Sequence, residues 1–175
     1  MALLKLATLE ATRNFGALLA RLLPASGVRA VLLRGGLGSG KTTLTAALVR
    51  ALPGGEEAEV ASPSFTLCNI YPTQPPLVHC DLYRAPGHAP EELLDALDAG
   101  DALAVVEWAD SLDPAELPED FLDISLKMED DGRLLILQGA GPRGNALAAA
   151  LAGALSGALE RDPTLPQTAT VPRNG

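Results

Sequence analysis

Gly35-Gly-Leu-Gly-Ser-Gly-Lys41-Thr42 is the stretch on which the reading of this chain turns. It follows the phosphate-loop pattern of Gly, four residues, then Gly-Lys-Ser/Thr. Small residues let successive backbone N–H groups turn inward around an anion. On this reading Leu37, Gly38, Ser39 and Gly40 supply that cradle, and the helix that starts here adds its free donors and positive dipole end. Lys41 brings an ammonium to the β- and γ-phosphates, the Thr42 hydroxyl ligates Mg²⁺, and Thr43 reaches the α-phosphate.

The flanks suit the motif. Upstream, residues 28–33 form an apolar run broken only by Arg29, as expected of a strand buried on both faces. Downstream, residues 41–52 read as a helix. Residues 2–7 suit a short strand. Residues 9–23 place Phe15, Leu18, Leu19, Leu22 and Leu23 on one helical face, with Pro24 to Gly27 ending it.

Past a loop at 53–63, strands are expected over 65–71 and 77–83, around the turn-rich Pro72 to Pro76. A helix is expected at 90–97, with acidic residues in its first turn. Residues 103–107 form an apolar strand ending in a charge. Segments 121–127 and 133–138 make a hairpin around Glu129-Asp-Asp-Gly132. The Ala/Leu-rich run 146–159 is too short for a membrane span and suits a packed terminal helix. Residues 161–175, rich in Pro and Thr, are expected to be a disordered tail after a nucleotide-binding domain at 1–160. Alternating strands and helices followed by an antiparallel pair imply an α/β sheet with a mixed edge.

Composition narrows function. The formal net charge of −9 argues against direct binding of DNA or RNA by their phosphates, so any nucleic acid should be held by a partner. No export signal is visible in residues 1–10, and a cytoplasmic location is expected. Cys68 and Cys80 allow a disulfide, but reduced thiols are the simpler reading. None of the three lysines follows an Asn, so the Asn-Lys-x-Asp signature for guanine is absent and ATP/ADP is the expected nucleotide. Residues 85–132 contain no arginine, which disfavours a kinase with an arginine-bearing lid, with Arg84 or Arg133 left as substitutes for it. A slow ATPase or a nucleotide-operated switch fits better. A small-molecule kinase and a non-catalytic adaptor are the alternatives.

Three later segments, Ser62-Pro-Ser-Phe-Thr-Leu67, His79-Cys-Asp-Leu-Tyr-Arg84 and Val105-Val-Glu-Trp108, follow the phosphate loop in order. With it they resemble the TsaE family, the P-loop ATPases of bacterial tRNA threonylcarbamoyladenosine biosynthesis, from about Thr12 through Arg133. The resemblance implies a three-layer P-loop NTPase fold, its parallel core flanked by antiparallel edge strands. It also implies a cytoplasmic ATPase that works with TsaB and TsaD, meeting tRNA only through them. In that system TsaD modifies adenosine 37 of tRNAs that read ANN codons.

By the same resemblance Glu107 is a Mg²⁺ ligand with Thr42, and Ser64 senses Mg²⁺ or the γ-phosphate where the family usually has Thr. Asp81 orients a metal-bound or attacking water. Lys41, Asp81 and Glu107 form the catalytic set; Thr12, Asp110 and Arg133 occupy nucleotide-contacting positions, and Phe15-Gly16 lies near adenine. Trp108 packs beside the nucleotide or fills the core. Gly36 departs from the family, which generally carries an acidic residue there. The cradle and Lys41 should survive that change, with hydrolysis or partner coupling altered.

Overall fold

A computed structural model describes residues 1–159 apart from 64, 88 and 131, and the side chains through 155. The proposed Mg²⁺-sensing Ser64 and the expected tail at 161–175 therefore lie outside the described residues. Chain order is β1 (Ala2–Leu6), α1 (Leu9–Ser26), β2 (Ala30–Arg34), α2 (Lys41–Ala51), β3 (Cys68–Tyr71), β4 (Leu77–Asp81), α3 (Glu91–Ala99) and β5 (Leu103–Glu107). After two short 3₁₀ turns come β6 (Phe121–Glu129), β7 (Gly132–Ala140) and α4 (Gly141–Leu159).

The strands form one seven-stranded sheet in the order β1-β7-β6-β2-β5-β4-β3. Its centre is parallel, β6 and β5 on either side of β2 and β4 beside β5. The edges are antiparallel: β1 on β7 and β7 on β6 at one side, β3 on β4 at the other. This is the parallel centre with antiparallel flanks that the family resemblance implies.

Alternation along the central strands explains the layers, because successive side chains point to opposite faces. Val31 and Leu33 of β2, with Leu103 and Val105 of β5, join a core shared with α1, α2 and α4. Leu32, Ala104 and Val106 join a second core under α3. Each fully buried leucine contributes about 1.5–3 kcal/mol. α1 and α2 come together at Gly16, where an added Cβ would lie 2.4 Å from that of Ala47. Phe15 is wholly buried in the core, and with Gly16 it serves the packing of α1 on α2.

Four local expectations differ. α1 continues through Pro24 to Ser26, closing on Gly27 in the left-handed region, with Ser26 Oγ donating to Leu23 O at 2.7 Å. Pro24 has no N–H to donate to Ala20 O, and the helix closes two residues beyond it. β3 begins only at Cys68, because Leu67 N–H turns back to Pro63 O at 2.7 Å and Leu67 has φ 65°. α4 starts five residues early, at Gly141, where the Arg143 N–H donates to Asp120 Oδ1 at 2.7 Å.

The fourth is a correction. Cys68 and Cys80 are joined in a disulfide, not reduced. They are direct register partners across β3 and β4, with Cα atoms 4.1 Å apart. Sequence separation gives no hint of this, because hairpin register alone brings the two side chains together.

Candidate functional site

The phosphate loop joins the end of β2 to α2. Gly35 has φ 134°, and a Cβ there would meet Leu126 O at 2.3 Å and Ser39 Oγ at 2.9 Å, so a side chain is excluded on both counts. Gly36 faces open space, with nothing within 4 Å of an added Cβ. Gly35→Ala is therefore expected to destabilise the fold by about 2–4 kcal/mol, and Gly36→Ala by under about 0.5 kcal/mol, in urea unfolding. An acidic side chain also fits at 36, so its replacement by glycine leaves the cradle's backbone intact.

Lys41 is only 5% exposed. Its Nζ donates to Gly35 O at 2.8 Å and Gly36 O at 3.0 Å and lies 4.0 Å from the Trp108 ring centroid. Burial lowers its pKa from the ordinary lysine value, while Glu107, Asp81 and Asp110 pull the other way. The ammonium is thus held in place by carbonyls and an aromatic face, beside carboxylates that favour its charge.

Period-two alternation and the parallel register bring the acids to it. Asp81 closes β4, Glu107 closes β5, and the two are register partners on the face that α2 covers. Both are buried. Glu107 Oε2 accepts from the Thr42 hydroxyl at 3.0 Å, and its Oε1 lies 2.9 Å from His79 Nε2. Asp81 accepts from Tyr83 N–H at 3.0 Å on Oδ1 and from the Ser62 hydroxyl on Oδ2. Asp81 N–H in turn donates to Leu67 O at 2.9 Å, which ties the 62–67 loop to the acid.

These groups open on one cleft of about 420 Å³, which Leu37, Gly38, Gly40 and Thr43 also line. Trp108 takes φ 58° immediately after Glu107. Its ring lines the cleft, 4.8 Å from that of Tyr83. It thus packs at the cleft and against Lys41 rather than deep in the core. Arg84 stands in the same lining, its guanidinium 4.7 Å from the exposed Phe65 ring. A cation therefore lies at the mouth of the cleft.

The outlying positions divide. Thr12 and Arg133 share a recess of about 150 Å³ with Gly40 and Thr43. Arg133 also braces the loop, Nε donating to Ser39 O at 3.0 Å. Asp110 does not line the cleft. It accepts from Arg34 Nη1 at 2.7 Å, and Arg34 Nε donates to Asp123 at 2.6 Å. Ser39 is buried and its hydroxyl has no partner among the described residues.

Sequence reasoning missed His79 and Ser62 as members of the site. For His79 a signal existed, since it stands two residues before Asp81 and so shares its face. For Ser62 the signal was its place at the head of the 62–67 segment, though its contact with Asp81 depends on how that loop folds back.

The donor set fits a hard cation that keeps much of its coordination for waters and phosphate. No group of three His, Cys, Asp or Glu able to enclose a metal occurs among the described residues. Mg²⁺ commonly takes only one or two protein oxygens plus phosphate, and Thr42 Oγ1 beside Glu107 offers that pair. Among the described residues, no helix is long and apolar enough to cross a membrane.

The family model for "Threonylcarbamoyl adenosine biosynthesis protein TsaE" matches residues 6–135. The TsaE protein of Streptomyces coelicolor is 38% identical over 141 residues, covering 75% of this chain and 92% of that protein. That of Aquifex aeolicus is 39% identical over 121 residues, covering 67% and 86%. The crystal structure of Bacillus subtilis YdiB superposes with a TM-score of 0.67 at 26% identity, covering 87% of this chain and 94% of that one. A P-loop at the head of a parallel sheet, acids at the ends of its neighbouring strands and a match across most of the length lead to one assignment: the chain belongs to the TsaE family of threonylcarbamoyladenosine biosynthesis proteins.

Proposed function

We propose that this protein is a slow, Mg²⁺-dependent ATPase that serves formation of N6-threonylcarbamoyladenosine at position 37 of tRNA, in the cytoplasm, together with TsaB and TsaD. The observation that carries the reading is the contact of the Thr42 hydroxyl with Glu107, beside Lys41 and Asp81 in one cleft. The loop amides and Lys41 hold the phosphate chain of ATP. Thr42 and Glu107 hold Mg²⁺, which when bound neutralises charge on the β- and γ-phosphate oxygens.

Asp81 orients the attacking water. Its two oxygens already accept from Ser62 and Tyr83 N–H, which fixes the carboxylate and couples it to the 62–67 loop. Ordering of that loop by the γ-phosphate, and its release on hydrolysis, is the switch that partners read. Arg84, stacked on Phe65 at the mouth, is placed where a docked partner would redirect it. Turnover alone is slow because a docked partner must complete the site with a cation on the phosphates. TsaD carries out the transfer to adenosine, and the ATP cycle resets the complex between rounds.

The test is ATP hydrolysis by the chain alone and with the TsaB–TsaD pair. Slow turnover alone that rises on adding the pair is expected. Hydrolysis that needs a small-molecule acceptor and ignores the pair would replace this reading with a kinase. Unchanged complex function when hydrolysis is blocked would replace it with an adaptor.

A further inference from the structure

His79 lies in the middle of β4, wholly buried, between Leu77 and Asp81 on the face that looks to α2. Its neighbour in register on β5 is Val105, so it stands where the sheet passes from an apolar row to the acidic row of Asp81 and Glu107. A carboxylate can only accept, so the proton of the 2.9 Å contact with Glu107 belongs to Nε2 of the imidazole. Nδ1 is buried without a partner among the described residues. The Tyr71 ring stacks over the imidazole, centroids 6.5 Å apart and planes 26° from parallel, and its own hydroxyl is also unpartnered.

An apolar side chain would fill this position without leaving a buried ring nitrogen unmet, an omission that costs about 1–3 kcal/mol. Packing therefore does not account for an imidazole here. What the imidazole adds is its Nε2–H on Glu107.

We infer that His79 is a positioning residue: it fixes the Glu107 carboxylate from behind, so that the Oε2 edge faces Thr42 and the cation. The inference rests on the Mg²⁺ site proposed above. The hold on Oε1 comes from the sheet interior and does not depend on the Thr42 hydroxyl, so Glu107 keeps its orientation when Thr42 turns to the metal. Histidine-to-carboxylate bonds behind metal ligands act in this way by locking the rotamer of the ligating group.

The test is ADP binding by calorimetry, titrated with Mg²⁺ or measured in EDTA, on the parent and three variants. His79→Leu is expected to raise the Mg²⁺ concentration that half-maximally tightens ADP binding by about 10–100-fold, with affinity in EDTA unchanged within about threefold. His79→Gln, whose amide N–H reaches nearly as far as Nε2, is expected to restore Mg²⁺ dependence to within about threefold of the parent. His79→Asn, one bond shorter, is expected to resemble His79→Leu. It decides the matter against His79→Gln should the Leu variant not fold.

Parental Mg²⁺ dependence in a folded Leu or Asn variant would overturn the role given to His79. So would equal loss in Gln and Asn, which would mark the site as a packing position. A parent that binds ADP identically with and without Mg²⁺ would overturn the metal site itself, and the proposed function with it.

Discussion

Lys41→Ala is expected to lower ATP hydrolysis by at least about 100-fold and to weaken ATP binding tenfold or more, in roughly that proportion. In the parent the ammonium bonds the carbonyls of Gly35 and Gly36 and rests against Trp108, so it is in place before a phosphate arrives. Its removal leaves Glu107 and Asp81 buried beside the cradle with less positive charge to balance them. The field in the cleft then turns against a polyanion. The helix should persist, because alanine is the best helix former and Lys41 is the first residue of α2. Steady-state hydrolysis and calorimetry, with urea unfolding as the control, check this. Parental turnover in the variant would remove Lys41 from its assigned role.

Glu107→Gln is expected to reduce hydrolysis by about 100–1000-fold while ADP affinity in EDTA changes by less than about tenfold. The amide keeps the volume of the carboxylate, and its oxygen can still accept from His79. Its –NH₂ can donate to the Thr42 oxygen in place of the present O–H to Oε2 contact. The fold is thus spared and the charge alone removed. Because Glu107 is almost fully buried, water cannot substitute for that charge at the cation. Magnesium titrations of nucleotide binding separate loss of the ligand from general damage: the Mg²⁺-dependent gain in affinity should vanish while the metal-free affinity stays. A Gln variant that hydrolyses ATP at the parental rate would show that Glu107 is only a strand end.

Some of this was legible in the residues, for physical reasons that differ by position. The phosphate loop declares itself locally, since its glycines are required by backbone geometry such as the φ of Gly35 and its approach to Leu126 O. β5 could be read to its ends because a continuous apolar run closed by Glu107 has few other ways to fold. An α/β sheet with a mixed edge followed from alternating strands and helices, and the resemblance supplied its parallel centre. What stayed hidden depends on register or on loops. The Cys68–Cys80 bond needed the pairing of β3 with β4. Arg84 was visible as a residue, but its place in the cleft lining comes from the turn after Asp81. Asp110, which the resemblance places at the nucleotide, accepts from Arg34 and is not among the residues lining the cleft, a pairing that chain position does not reveal.

The role of Gly36 follows from the same geometry. Because nothing crowds that position, glycine there has no steric consequence, and the difference from an acidic residue lies in the missing charge and the freer backbone.

The whole account depends on the loop between β2 and α2 gripping a nucleotide's phosphates. Isothermal titration of the folded protein with ATP and with ADP in magnesium buffer measures this most directly. Saturable binding of both nucleotides, lost in Lys41→Ala, is the predicted result. Well-folded protein that takes up neither nucleotide would contradict it.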